Sequence, residues 1–331
     1  MDLVDGVVAG NRRSMARAIS MVEDDASELR ELSAGLFSHT GRAYTIGLTG
    51  SPGVGKSTIA GELVRVAREV ERSVAVLAID PTSPLSGGAL LGDRLRMQSH
   101  ATDPGVFIRS MATRGHLGGM ALAAPEAIRI LDAAGNDLVI VETVGVGQAE
   151  VEVAAATDTT LVVVSPGWGD AVQVAKAGIL EIADVFVVNK SDREGAGAAV
   201  RDLEQMLRIG PQLEWTPPVV STAAASSDGI DLLWQAVERH REHLEGSGEL
   251  ERIRSERLVR EVETMALESM RANVRGCLDR DARLSGALLS RRVDPYRAAS
   301  ILEERIAGAW SASEEAKPHG RTARAPRSGN R

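Results

Sequence analysis

The segment that most constrains this chain is Gly50-Ser-Pro-Gly-Val-Gly-Lys-Ser57, which directly follows the apolar run Tyr44–Thr49. Its spacing is that of a phosphate-binding loop, G-x-x-x-x-G-K-[ST], set between a strand and a helix. Gly50, Gly53 and Gly55 let the backbone curl so that its N–H groups converge on phosphate oxygens, with Ser51, Pro52 and Val54 completing the cradle. Lys56 is expected to reach the β and γ phosphates and so to serve catalysis, and the Ser57 hydroxyl to hold Mg²⁺. Thr58 stands in the first turn of the helix expected from Lys56 to Glu71, whose positive dipole end faces the anion.

A loop of this kind needs a parallel sheet around it, and the rest of the chain supplies one. Short apolar runs at Tyr44–Thr49, Val74–Ile79, Val106–Ser110, Leu138–Val141, Thr160–Val164, Val185–Val188 and Val219–Ser221 alternate with helical segments. They are continuous rather than alternating, as expected of strands buried on both faces. The expected fold is α/β: a nucleotide-binding domain with a mostly parallel sheet, plus N-terminal and C-terminal helical extensions. Residues 1–41 form the first extension, as one or two amphipathic helices, and 42–245 the nucleotide-binding domain. Residues 246–310 form a helical arm. Within it a long helix, Glu249–Cys277, carries Ile253, Val259, Val262, Ala266, Met270, Val274 and Cys277 as an apolar stripe. A second arm helix starts at Asp294–Pro295, an N-cap aspartate before a first-turn proline. The arm is suited to cover the sheet or to pair with a second subunit. Residues 311–331 are expected to be a disordered basic tail.

The base is read further along. Val185–Val188 runs into Asn189-Lys190-Ser191-Asp192, the Asn-Lys-x-Asp pattern of guanine-binding domains. A carboxylate at Asp192 can accept hydrogen bonds from guanine N1–H and its exocyclic amine, whereas adenine offers an acceptor at N1. A buried polar group left without its partner costs about 1–3 kcal/mol, so the discrimination is strong. Ser221, Thr222 and Ala223, after the next strand, are candidates to supply N–H groups to the guanine carbonyl. The expected ligands are therefore GTP and GDP with Mg²⁺. Asp80 and Glu142 at strand ends, with Asp93, are candidate metal ligands, and Asp80 and Glu142 candidate catalytic groups. Gly145 could bond the γ-phosphate through its N–H, so that hydrolysis releases its loop. Asp80 before Pro81 also fits a turn, and Asp93 a helix N-cap. Gln148, Arg94, Arg109 and Arg114 are candidates to orient water or stabilise charge, although the arginines read first as ordinary ion-pair partners.

Composition excludes other classes. The 331 residues are 44% hydrophobic and 25% charged, which excludes long disorder as the main state. The net charge is −8, and the last 21 residues carry five basic against two acidic side chains, leaving −11 on residues 1–310. So acidic a body is a poor nonspecific partner for nucleic acid. No stretch approaches the ~20 apolar residues of a membrane span, and the start lacks the features of a signal peptide. A lone cysteine, Cys277, excludes a disulfide framework and suits a reducing cytoplasm.

Taken together, Gly50–Ser57, Asp80-Pro-Thr-Ser-Pro84, Gly87-Gly-Ala-Leu-Leu-Gly-Asp-Arg-Leu-Arg-Met97, Ile108-Arg-Ser-Met-Ala-Thr-Arg-Gly-His-Leu-Gly-Gly119, Glu142-Thr-Val-Gly-Val-Gly-Gln148 and Asn189–Asp192 resemble the MeaB/ArgK group of P-loop GTPases. These are chaperones of adenosylcobalamin-dependent methylmalonyl-CoA mutase. The resemblance spans the N-terminal helices to Trp310. It implies a G domain, a C-terminal arm that builds a homodimer, and GTP hydrolysis coupled to loading and protecting the mutase's cobalamin. By position it assigns Lys56 and Ser57 to the phosphate loop, Asp80, Asp93 and Glu142 to the switch and magnesium carboxylates, and Asn189, Lys190 and Asp192 to base reading. Lys176 and the segment Gly167–Gln173 fall where the family has a partner-contacting loop.

Three other functions compete. A metal-insertion GTPase chaperone would need clustered His and Cys, and here His240 and His243 are expected to be solvated with no third ligand nearby. An ATP-dependent kinase linked to amino-acid transport conflicts with Asn189–Asp192. The third is a GTP-gated scaffold in which hydrolysis is incidental.

Overall fold

β1 (Tyr44–Thr49) is buried along its whole length and stands at the centre of the sheet. In this computed structural model residues 2–81, 100, 102–113, 120–143, 148–167, 181–209 and 214–315 are described. They divide into two units, Met1–Val262 and Glu263–Arg331. All seven expected strands form. The others are β2 (Val74–Pro81), β3 (Val106–Thr113), β4 (Leu138–Thr143), β5 (Thr159–Val164), β6 (Val185–Asn189) and β7 (Val219–Thr222). The order is β3-β2-β4-β1-β5-β6-β7 and every pairing is parallel, so all the strand ends that lead into loops of the site lie on one edge. Neighbours of β1 on both sides are later in sequence, which makes this edge a crevice of the kind that α/β sheets offer to ligands.

Three helices precede the sheet: α1 (Leu3–Val8), α2 (Arg12–Glu23), with Asn11 capping the N–H groups of Arg13 and Ser14, and α3 (Leu29–Leu36). The expected one or two helices are thus three, divided by turns at Gly10 and Asp25, both in the left-handed region. Val7, Ile19, Val22, Leu32 and Leu36 pack with Leu77, Val139 and Val141 and with Ile130 and Leu131 of α5 (Met120–Ala133). The N-terminal extension therefore covers one face of the sheet. The other face, through Ile46, Leu48 and Ile140, packs against Ile59 and Leu63 of α4 (Lys56–Glu69) and Leu233 and Val237 of a later helix. Two further helices flank β5 and β6: α6 (Gln148–Ala156) and α7 (Ala196–Ile209). Arg109 on β3 pairs with Glu23 of α2 at 2.8 Å, the structural of its two expected uses.

α8 (Ile230–Ser247) corrects one expectation. His240 is not solvated but 3% exposed, because Leu233, Ala236, Val237, His240 and Leu244 recur at helical spacing on the core face. Its Nδ1 lies 2.8 Å from the Thr159 hydroxyl, which in turn meets the Tyr44 hydroxyl at 2.5 Å. Burial pushes the His240 pKa down to about 4. His243, one turn away, is half-buried.

α9 (Glu249–Arg280) runs from the first unit into the second, so its expected apolar stripe is not one buried face. Leu250 and Ile253 join the core of the first unit. Val259, Val262 and Met270 are exposed, along with Leu258, Met265 and Leu267. Val274 and Cys277 pack in the second unit against Leu284 of α10 (Ala282–Leu289), a helix the sequence reading passed over, and Ala298 and Leu302 of α11 (Pro295–Glu315). Asp294 caps α11 as expected, accepting from the N–H groups of Tyr296 and Arg297. α11 continues beyond residue 310, and the remainder of the expected tail lies outside the described residues. No helix of the described residues is long and apolar enough to cross a membrane.

The root of α9 is fastened by charge. The Asp158 carboxylate, fully buried at the start of β5, accepts from Arg254 at 2.7 Å, from Arg257 at 3.2 Å and from the Thr45 N–H at 3.0 Å. The same arginines donate to the carbonyls of Gly41, Ala43, Ala155 and Thr157. One turn on, Glu261 pairs with Arg129 of α5.

Candidate nucleotide-binding site

The loop from Gly50 to Gly55 can follow its path only because of its glycines. Gly50 has φ 135°, and a Cβ there would sit 2.1 Å from the Val163 carbonyl oxygen. Gly55 has φ 103° and approaches the Asn189 amide so closely that a Cβ would lie 2.3 Å from Nδ2. Both conformations and both contacts exclude any other residue. Gly55 is also the N-cap of α4 and makes no side-chain cap, so the N-terminal turn of the helix begins directly at the loop. Gly53 and Pro52 are exposed at the tip, Val54 is buried, Ser51 and Gly55 are half-buried, and Thr58 is exposed.

Lys56 and Ser57 are each only 5% exposed. The Lys56 ammonium donates to the carbonyls of Gly50 at 2.6 Å and Ser51 at 3.1 Å, which holds a cation inside the loop's own curve. The Ser57 hydroxyl donates to Glu142 Oε1 at 2.5 Å. Glu142 is 5% exposed and reaches this position because β4 pairs with β1 in a register that sets it beside Leu48. Hydroxyl and carboxylate oxygens brought together next to a phosphate loop suit a hard cation such as Mg²⁺. Asp80 stands next to last in β2, the strand beside β4. Asp93, Gly145, Arg94, Arg114, Lys176 and residues 168–173 lie outside the described residues.

The segment expected to read the base is tied directly to the phosphate loop. Asn189, 3% exposed at the end of β6, donates to the Val54 carbonyl at 2.8 Å. Its Oδ1 accepts from the Thr222 hydroxyl and from the Ala224 N–H, each at 3.1 Å. Lys190, in the left-handed region at φ 60°, donates to the Gly53 carbonyl at 2.6 Å. Asp192 is exposed in the turn that follows. Of the triplet expected to assist it, Ser221 is exposed and Thr222 buried, and the Ala223 N–H donates to the Asp228 carbonyl at 3.0 Å. Sequence reading separated these as three motifs, whereas Asn189 joins them into one unit. The contribution of Ala224 was missed, and no spacing rule would have found it, because it is a backbone donor.

A phosphate loop at the central strand, with an Asn-Lys-x-Asp turn bonded to it, defines a nucleotide-binding protein of the P-loop GTPase class. The chain belongs to the MeaB family, methylmalonyl Co-A mutase-associated GTPase, whose model matches residues 15–278. It is 47% identical over 320 residues to a Pyrococcus abyssi protein named as a GTPase, covering 95% of this chain and 99% of that one. It is 38% identical to the GTPase ArgK of Escherichia coli, over 76% of this chain and 78% of that protein. The mouse (Mus musculus) mitochondrial methylmalonic aciduria type A homolog is 35% identical, over 75% of this chain and 64% of its own length. Among solved structures, a LAO/AO transport system kinase superposes with a TM-score of 0.69 at 28% identity, covering 92% of this chain and 96% of that one.

Proposed function

We propose that this GTPase is a chaperone of an adenosylcobalamin-dependent acyl-CoA mutase, methylmalonyl-CoA mutase first among them, hydrolysing GTP to gate cofactor loading and protect the client. The observation that carries this reading is the match over residues 15–278 to a family described by its association with that mutase. Adding a purified methylmalonyl-CoA mutase to the protein is expected to raise single-turnover GTP hydrolysis at least about tenfold, since a partner can supply stabilising charge in trans. An unchanged rate, with the mutase in excess, overturns the proposal in favour of a passive scaffold.

In this reading the GTP phosphates lie in the cradle Gly50–Thr58, and Lys56 neutralises charge that builds on the β and γ phosphoryl oxygens. Ser57 and Glu142, with Asp80 and Asp93, would hold Mg²⁺, which supplies charge neutralisation at the phosphates. Gly145 senses the γ-phosphate. Asp192 reads guanine, and Asn189 and Lys190 keep its turn in step with the phosphate loop. Asp192→Asn is expected to weaken GTP binding at least about tenfold while improving xanthosine triphosphate, whose ring carries a carbonyl in place of the amine. Equal GTP affinity in wild type and variant, measured by fluorescent-nucleotide competition, removes Asp192 from base reading.

We also infer a homodimer through α9. Leu258, Val259, Val262, Met265 and Met270 recur at helical spacing and are 40–66% exposed, an apolar stripe that a monomer would leave in water. Val262→Glu combined with Met270→Glu is expected to give the monomer mass in sedimentation equilibrium. A persistent dimer places the interface elsewhere.

A further inference from the structure

The edge of the sheet opposite the phosphate loop carries a cleft of about 1100 Å³, within the first unit, at the starts of β5 and β6. Its walls are largely apolar, with Leu207 of α7, Pro217 before β7, and Leu244 and Ile253 of the two long helices. Three features make it more than a gap between helices. Trp215 lines it, with the His240 ring 4.8 Å and the His243 ring 5.2 Å from its own, and its indole N–H is held by the Asp184 carbonyl at 2.8 Å. The Asp184 carboxylate also lines it, accepting from the Thr160 N–H at 2.7 Å. Among the described residues no Lys or Arg pairs with Asp184. The nearest basic group is the buried His240, 3.4 Å away at Nε2.

Charge balance decides what such a cleft would take. Besides Asp184, Glu181, Glu214 and Glu249 line it, against Arg208 and His243, and Glu249 is matched by Arg252. Asp158, also at its edge, is already matched by Arg254 and Arg257. His240 is neutral above pH 5, since burial pushes its pKa down to about 4. Burial, and to a lesser degree the charge of Asp158, push Asp184 up to about 7 despite the Thr160 hydrogen bond, as expected of a carboxylate that lacks a cation. An apolar cavity with an aromatic wall and a half-buried carboxylate that no Lys or Arg of the described residues pairs with is complementary to an ammonium or guanidinium group on an apolar body.

We propose that this cleft binds a small organic monocation, its charged group on the Asp184 carboxylate and its apolar body against Trp215 and the aliphatic wall. The site is separate from the nucleotide site and does not depend on the function proposed above. A bound cation favours the ionised carboxylate, so below pH 7 the ligand must displace a proton. Affinity should then fall about tenfold per pH unit on the acid side and level off above about 7. The Asp184 contribution to this dependence is isolated by substitution.

The probe is n-hexylamine, titrated into the GDP-bound full-length protein while the Trp215 indole N–H resonance is followed, with Trp215→Phe assigning the signal. Saturable binding at least about tenfold tighter than n-hexanol, with hexanoate weaker than both, is expected. Asp184→Asn, which keeps an acceptor for the Thr160 N–H, should reduce hexylamine to the level of hexanol and remove most of the pH dependence. GDP affinity should not change in that variant, and Asp184→Ser gives a second test should the first fold poorly. Equal binding of amine and alcohol, or undiminished amine binding in both variants, overturns the proposal. Tighter binding of a blocked Leu-Lys-Leu peptide than of hexylamine overturns its small-molecule form.

Discussion

Lys56→Ala is expected to lower GTP and GDP affinity by at least about 100-fold and to remove measurable hydrolysis. The ammonium is the only side-chain cation the motif places against the β and γ phosphates, and hydrogen bonds to charged groups contribute about 1.5–3 kcal/mol each. A loss of two such bonds accounts for a factor of at least 100. The side chain also has a structural use, since it donates to the carbonyls of Gly50 and Ser51. Lys56→Gln, which retains a donor without the charge, separates the two effects. If charge at the phosphates dominates, Gln behaves like Ala; if loop shape dominates, Gln recovers most of the affinity. Titration with a fluorescent GDP and single-turnover hydrolysis measure both. Unchanged GTPase activity in Lys56→Ala would refute the phosphate-loop assignment.

Asp158→Ala is expected to destabilise the first unit by about 3–5 kcal/mol, because removing one partner of a buried ion pair leaves the others uncompensated. Burial alone would raise the Asp158 pKa. The Arg254 hydrogen bond, with the charges of Arg257 and Arg254, outweighs it and holds the carboxyl below the usual carboxylate range. For Arg257, burial prevails and pushes the guanidinium down. The cost therefore falls on two arginines and on the Thr45 N–H together. Because the folded carboxyl is depressed, its stabilisation is fully present above the unfolded value near 4 and is lost as pH falls through the lower folded value. The wild type should lose this contribution on acidification below about pH 4, and Asp158→Ala should lack that part of the acid transition. Denaturant midpoints at pH 7 and pH 3.5 test both statements. An unfolding free energy within about 0.5 kcal/mol of wild type at pH 7 would show that the Asp158 ion pairs do not hold α9.

Much of the site was legible because it obeys local rules. The glycines at 50 and 55 are required by backbone angle and because an added Cβ would come within 2.1 and 2.3 Å of its neighbours, a demand visible in one loop's spacing. The strands could be read because a parallel strand is apolar on both faces, and β1, β4, β5 and β6 are buried at every position. What was not legible depended on partners distant in sequence. His240 looked solvated because its neighbours on α8 include Arg239, Arg241 and Glu242, and only the docking of that helix on Thr159 turned it inward. The stripe on α9 looked continuous because helical spacing does not reveal where the support beneath a helix ends.

The sequence by itself therefore determined the nucleotide class and the strand positions, and it singled out the segments proposed to meet phosphate and base, since each follows from short-range geometry in one segment. The tertiary structure decided that Asn189 locks the base-reading turn to the phosphate loop. It also decided that Asp158 anchors α9, and that Asp184 faces an apolar cleft with no Lys or Arg of the described residues paired to it. These three outcomes rest on electrostatics between groups 24 to 135 positions apart, and no pattern along the chain encodes which charges burial will bring together.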